Sequence, residues 1–242
     1  MRLDKYLASC GLGSRTVVKQ LLKKKQITVN DECITSAKHQ VNPEIDTVKH
    51  QGISLIYQEF VYYMLNKPAG LLSATEDKQQ KTVLDLIESK DKHHSLFPVG
   101  RLDKDTTGLL LLTNNGQLAH AMLSPKKHVD KVYQASVSGI MTDEDVRDFA
   151  SGMTLSDFTA KPASLRILQV DEDQNECLVE ITLSEGKFHQ VKRMVAACAK
   201  EVISLKRVGM GPLVLDNSLS EGAYRPLKAE ELESLAAFGV GL

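Results

Sequence analysis

Leu109 to Leu112 make an unbroken run of four leucines inside the stretch VGRLDKDTTGLLLLTNNG, residues 99–116, and that run constrains the fold more than any other segment. So apolar a segment, closed by the turn-forming pair Asn114–Asn115, is expected to be a buried strand. Its entrance carries Arg101, Asp103, Lys104 and Asp105. Two carboxylates and an arginine beside a buried strand are costly to desolvate unless they are paired or used. Three readings compete: a solvated loop, a metal or phosphate site, or a carboxylate nucleophile held by an arginine.

Two units are expected. The first, 1–58, opens with a short helix from Leu3 to about Cys10. Ser14 then reads as the N-cap of a second helix, SRTVVKQLLKKKQ. In it Val17, Val18, Leu21 and Leu22 form the stripe expected to be buried, while Arg15, Lys19 and Lys23 recur every four residues on another face. ITVNDECIT follows as a hairpin with Asn30 and Asp31 at its turn. The second unit, 59–242, alternates strands expected at 60–66, 96–101, 108–113, 131–138, 161–170, 176–184, 201–208 and 212–215 with helices at 82–89, 115–123, 142–151, 187–199 and 228–238. Thr142 reads as a cap ahead of an acidic first turn. KVYQASVSG and CLVEITLSE alternate apolar and polar residues, which favours a largely antiparallel sheet. The class is α+β rather than regular βαβ winding.

Charge is distributed unevenly. The net charge is −1, yet residues 1–45 hold eight Lys/Arg against four Asp/Glu, and 185–207 hold six against two. Residues 141–180 hold three against ten. Two separated basic surfaces on a near-neutral chain are suited to a polyanion. Hydrophobic content of 42% and charged content of 25% are those of an ordinary globular protein. No apolar run reaches the length of a spanning helix, and MRLDKYLASCG is too polar for a signal peptide. Cys10, Cys33, Cys177 and Cys198 are far apart, with no CxxC pair. Reduced thiols and a cytoplasmic location are therefore expected, with neither zinc nor a disulfide framework.

Two simple motif readings of the charged loop fit it less well. Asp103, Asp105, Thr107 and Gly108 fit the first half of a calcium loop, but its twelfth position is Asn114, which lacks the bidentate carboxylate. DKDTT also satisfies the DxDxT of haloacid-dehalogenase-type phosphatases. That chemistry wants the motif after an apolar strand, whereas here the strand comes after the motif. The third reading gains from EGKFHQVKRMVAACAK, expected as an amphipathic helix with Val191, Met194, Val195 and Cys198 facing the core. His189, Lys192 and Arg193 then fall at i, i+3 and i+4 on another face. Arg101 and Asp103 flank Leu102, so on an extended segment they project to one side.

RLDKYLA, GSR and ITVN resemble the small RNA-binding domain of ribosomal protein S-four over roughly residues 1–45. NKPAGLLSA (66–74), GRLDKDTTGLLLLTNNG (100–116), KVYQASV (131–137), EGKFHQVKRM (185–194) and YRPL (224–227) occur in the order of the RsuA family of pseudouridine synthases. That resemblance spans almost the whole chain. It implies an S-four-like domain followed by a catalytic domain with a mixed, largely antiparallel sheet flanked by helices.

The resemblance further implies the site. The family's catalytic aspartate falls on Asp103, the tyrosine that packs on the target base falls on Tyr133, and the basic partner of the aspartate falls on Lys192 or its neighbour Arg193. Arg101 is expected to help hold the site, and Asp105 to shape the loop. Arg2, Arg15, Lys19, Lys23, Lys67, His189 and Arg193 are expected to contact RNA, with Lys67, which opens the first catalytic motif together with Pro68, expected equally in a structural role. The reaction has no net redox change, so no cofactor and no metal are expected. The substrate expected is one uridine of 16S rRNA in a partly assembled small subunit. The compact ending at Leu242, without the basic tail of several large-subunit enzymes, favours that choice. A 23S target, an assembly factor that binds RNA without chemistry, and a DxDxT-type phosphatase are the alternatives. A monomer is expected.

Overall fold

The computed structural model describes residues 1–55, 57–89, 91 and 95–242. The chain divides into two compact units, Met1–Val61 with Ile87–Phe97, and Tyr62–Leu86 with Pro98–Leu242. The recruitment of 87–97 by the first unit had no counterpart in the sequence pattern, which marked a single cut near residue 58.

In the first unit, helices Leu3–Ser9 and Arg15–Lys23 accompany a four-stranded sheet of Glu32–Cys33, Ile27–Val29, Val48–His50 and Ile53–Ser54, in that order. Ser14 caps the second helix by accepting from the Val17 amide. Asn30 and Asp31 both adopt positive φ, 51° and 67°. Two left-handed residues at the centre of a two-residue loop match the twist of the flanking strands, and Ile27–Val29 pairs antiparallel with Glu32–Cys33. The core gathers Leu3, Tyr6, Leu7, Val18, Leu22, Ile27, Val29, Val41 and Val48. Val17, expected in the buried stripe, is 42% exposed. It lies about 100° round the helix from Val18 and packs against Gly13 at the helix entrance instead. Arg15, Lys19 and Lys23 are exposed along one face, as their spacing required.

The second unit is built on a mixed sheet. Seven strands run in the order Ser164–Asp171, Glu176–Leu183, Lys131–Ser138, Glu201–Met210, Thr107–Thr113, Tyr62–Lys67 and Tyr224–Pro226. Every neighbouring pair in that row is antiparallel except Glu201–Met210 with Thr107–Thr113, which are parallel. Helices Asp143–Ser151 and Gln190–Ala197 pack against the strands Ser164–Asp171 and Glu201–Met210. Thr142 caps the first of these helices in a reciprocal capping box with Asp145. The expected helix at 82–89 reduces to a single 3₁₀ turn, Val83–Leu86, and the strand at 96–101 to Phe97–Pro98.

Leu109, Leu110, Leu111 and Leu112 are all 0% exposed. A strand with no polar alternation must be covered on both faces, and this one has paired strands on both edges as well. Each such leucine contributes roughly 1.5–3 kcal/mol of burial, so the segment is a rigid foundation for whatever its entrance carries. Gly108, at that entrance, has φ +98°, and a Cβ placed on it would lie 2.2 Å from the Arg207 carbonyl oxygen. Only glycine fits where the two parallel strands touch. Gly108→Ala is therefore expected to destabilise the protein by about 3 kcal/mol or more, from strain and clash together. Chemical denaturation checks this; a loss under about 1 kcal/mol would contradict the close approach.

Candidate active site

Residues 100–106 enter the leucine strand as an irregular loop, and its shape is imposed by the backbone. Lys67, the last residue of strand Tyr62–Lys67, is 0% exposed. Its Nζ donates to the carbonyls of Pro68 (3.1 Å), Asp103 (3.1 Å), Lys104 (3.2 Å) and Thr106 (2.9 Å). Ser73 adds a reciprocal clamp: its Oγ accepts from the Leu102 amide at 3.1 Å and donates to the Leu102 carbonyl at 2.9 Å. The Gly70 amide donates to the Lys104 carbonyl at 2.7 Å. Burial pulls the Lys67 ammonium down to about 8, against the opposing pull of the Asp105 and Asp103 carboxylates. Of the two roles expected for Lys67, a structural one and RNA contact, the structure shows the first: its charge is spent inside the protein on carbonyl oxygens.

This clamp presents Arg101 and Asp103 on either side of the buried Leu102. As the extended spacing required, both side chains line the same recess, together with Thr106, Tyr133, His189 and Gln190. Asp103 is partly open, its side chain 29% exposed. Tyr133 comes from the buried face of strand Lys131–Ser138, set by its pairing with Ile181 on one side and Arg207 on the other. Thr106 Oγ1 is buried and has no hydrogen-bond partner among the described residues. The recess, ≈ 70 Å³, shares Arg101, Asp103 and His189 with an open cleft of ≈ 970 Å³.

The basic segment differs from its expected arrangement. The helix begins only at Gln190, and His189 is its N-cap in the left-handed conformation, φ 51°. His189, Lys192 and Arg193 therefore do not share a helix face, and each meets a different carboxylate. His189 Nε2 lies 3.7 Å from Asp103 Oδ1, beyond direct hydrogen bonding. Lys192 Nζ binds both oxygens of Asp105, at 2.7 and 2.6 Å. That bond holds the Asp105 carboxyl below the usual carboxylate range. Arg193 pairs with Asp157 and lies over the Phe158 ring, 4.9 Å from its centroid. Neither candidate partner of Asp103 is therefore its partner in this structure. The left-handed turn at His189 brings the imidazole, rather than the following cations, nearest to it. Asp105, expected to shape the loop, does so by tying it to the helix.

That turn is itself locked. Gln190 Oε1 accepts from the Lys187 amide at 2.9 Å, and Gln190 Nε2 donates to Glu185 at 2.7 Å. In the first unit Arg2, expected to bind RNA, forms a two-pronged pair with Asp4 at 3.0 and 2.7 Å while half its side chain stays exposed. Ser73, Thr106 and Gln190 are site-forming residues that the residue patterns did not single out; the available signal was their place in the NKPAGLLSA motif, the charged loop and the KFHQ turn.

A phosphatase of the DxDxT kind is not what this geometry offers. The motif precedes strand Thr107–Thr113 instead of following one, and the Asp105 carboxylate is occupied by Lys192. Among the described residues no three His, Cys, Asp or Glu converge as metal ligands, and no helix is long and apolar enough to cross a membrane. What the site offers is one carboxylate on a fixed backbone, an aromatic ring and a hydroxyl in the same recess, and cations around its opening.

Residues 61–197 match the family model described as RNA pseudouridylate synthase, and residues 1–44 match the S4 domain. The chain is 44% identical over 236 residues to an uncharacterized RNA pseudouridine synthase, YtzG, of Bacillus subtilis (strain 168), covering 97% of this chain and 98% of that protein. It is 39% identical to ribosomal small subunit pseudouridine synthase A of Yersinia pestis, with 98% and 99% covered. It is 36% identical to ribosomal large subunit pseudouridine synthase B of Bacillus subtilis (strain 168), with 98% and 96% covered. A crystal structure of a pseudouridylate synthase superposes with TM-score 0.66 at 35% identity, covering 97% of this chain and 99% of that one.

Proposed function

Because the chain belongs to the RNA pseudouridylate synthase family and carries an S4 domain at its N-terminus, we propose that it isomerises one uridine of 16S ribosomal RNA, with Asp103 as the nucleophile. The broader assignment, an rRNA pseudouridine synthase of RsuA type, rests on the family match and on the full-length relatives. The observation that carries the finer one is Asp103 itself, fixed through its backbone and open to a recess that also holds Tyr133.

Uridine must break its N1–C1′ bond, turn, and rejoin through C5; C5 then loses its proton and N1 gains one. Electrons balance without an oxidant, and no water is consumed. Asp103 supplies the carboxylate that attacks the ribose or the uracil ring and holds the detached fragment. The nucleotide has to leave its stack to get there. Tyr133 then packs on the base and its hydroxyl serves the proton leaving C5. Arg101 takes a phosphate at the opening, and Arg2, Arg15, Lys19, Lys23 and Arg193 add contacts along the RNA backbone. Lys192 acts at one remove, holding the loop through Asp105 rather than touching Asp103.

The small-subunit target accords with the 39% identical full-length relative named for that subunit. We propose that the uridine is reached in a partly assembled particle, where RNA is still open. The test is to map pseudouridines in 16S and 23S rRNA from cells with and without this chain, and to treat both transcripts, bare and bound by ribosomal proteins, with purified protein. One 16S site should vanish in the deletion and return with the enzyme. Loss of a 23S site instead would move the substrate to the class of the large-subunit relative. Two intact maps with no turnover on either transcript would overturn the function.

A further inference from the structure

Phe188 is 74% exposed, and it is the only aromatic among the large hydrophobic side chains that the described residues leave open to solvent. It is not a loose end. Its ring stacks on His189 with centroids 3.8 Å apart and planes 19° from parallel. Consecutive residues of a strand point in opposite directions, and those of a helix diverge by about 100°. Two adjacent rings can lie face to face here because His189 adopts the left-handed conformation. The turn that holds them is pinned by Gln190, itself 3% exposed, through Lys187 and Glu185. A large apolar ring has thus been fixed, at a cost in exposed area, on the wall of the ≈ 970 Å³ cleft.

The surroundings identify what would cover it. The cleft wall also carries Arg101, Lys104 and Lys187, opposed by the carboxylates of Asp77 and Asp103. A protein partner would want a continuous apolar patch, whereas a single ring among cations is the pattern of single-stranded nucleic-acid sites. The cleft lies at the upper end of the roughly 300–1,000 Å³ range of sites that hold one small ligand. It can therefore take RNA beyond the nucleotide that enters the recess.

We propose that Phe188, backed by His189, is a stacking platform for an unpaired base that neighbours the target uridine in the RNA. This rests on the reading that RNA is the substrate. It assigns Phe188 to substrate binding outside the recess, distinct from Tyr133 within it. Arg101, Lys104 and Lys187 then neutralise the phosphates on either side of the stacked base.

The chain contains no tryptophan, so Phe188→Trp introduces a single fluorophore at the platform. Its emission should be quenched, and shielded from iodide, as unmodified 16S rRNA transcript is added to the full chain. Phe188→Leu should raise the enzyme concentration for half-maximal single-turnover pseudouridine formation by roughly 5- to 100-fold. The change should lie in half-saturation more than in the saturating rate, and Phe188→Trp should shift it far less. Unquenched tryptophan at saturating RNA, or half-saturation unmoved in Phe188→Leu, overturns the platform while leaving the activity intact. A Phe188→Trp tryptophan quenched by RNA, with no pseudouridine formed by the wild-type chain, would do the reverse, sinking the isomerase reading and keeping the stack.

Discussion

Asp103→Asn should reduce pseudouridine formation by roughly 10⁴-fold or more, the scale on which loss of a covalent nucleophile is felt, while RNA affinity and melting temperature scarcely move. The asymmetry arises from where the side chain sits. Its carboxylate is partly open, and the nearest basic group, His189 Nε2, is 3.7 Å away. An isosteric amide therefore surrenders little packing and at most a weak, screened ion pair. The residue's structural share is carried by its carbonyl, which receives Lys67 Nζ and the Thr106 amide and is unchanged by the substitution. Tritium release from RNA labelled at uridine C5 reads the chemistry, and filter binding reads the affinity. Turnover within tenfold of wild type would remove Asp103 from the nucleophile's role.

Lys67→Met should be nearly as damaging, through a different route. The ammonium holds four carbonyls. Those of Asp103 and Lys104 keep a second donor, from the amides of Thr106 and Gly70, whereas those of Pro68 and Thr106 lose theirs. At roughly 1–3 kcal/mol for each buried carbonyl left without a donor, partly offset because a methionine needs no charge desolvated, the net cost is about 2–3 kcal/mol. Activity should fall by 10²-fold or more, since about 1 Å of displacement at a reacting group has that effect. The wild type adds a pH signature. Burial lowers the Lys67 ammonium from 10.5 to about 8. Between those values the unfolded chain holds this proton more tightly than the folded one, so the residue's contribution to stability rises with pH across that window. The saturating rate should nonetheless decline above about pH 8, as the ammonium loses a donor and the loop relaxes. A rate that falls while stability holds identifies loop relaxation; a rate flat to about pH 9.5, well past the folded-state value, would show that the charge is dispensable.

The parts of the molecule that were legible in advance are those written in side chains. Four adjacent leucines could only be a covered strand, Thr142 with Asp145 could only open a helix, and Arg15, Lys19 and Lys23 had to share a face. Arg101 and Asp103 were placed together by the simple alternation of an extended segment. What escaped was written in the backbone. The choice between a structural role and RNA contact stayed open for Lys67 because its acceptors are carbonyl oxygens, which every residue has and no sequence displays. His189 adopts positive φ, 51°, and that one dihedral redistributed three basic side chains among Asp103, Asp105 and Asp157. Helical spacing assumes the helix has already begun, and here it had not.

The clamp at Lys67 has a consequence for how this loop can diversify. A lysine that grips carbonyls is indifferent to which side chains those residues bear. Lys104 is exposed, and the clamp holds its main-chain oxygen rather than its charge. The loop is therefore a socket with an interchangeable face. An outward residue such as Lys104 can be redesigned toward other RNAs, at the cost of the phosphate contact it would make, while the reacting carboxylate stays where it is.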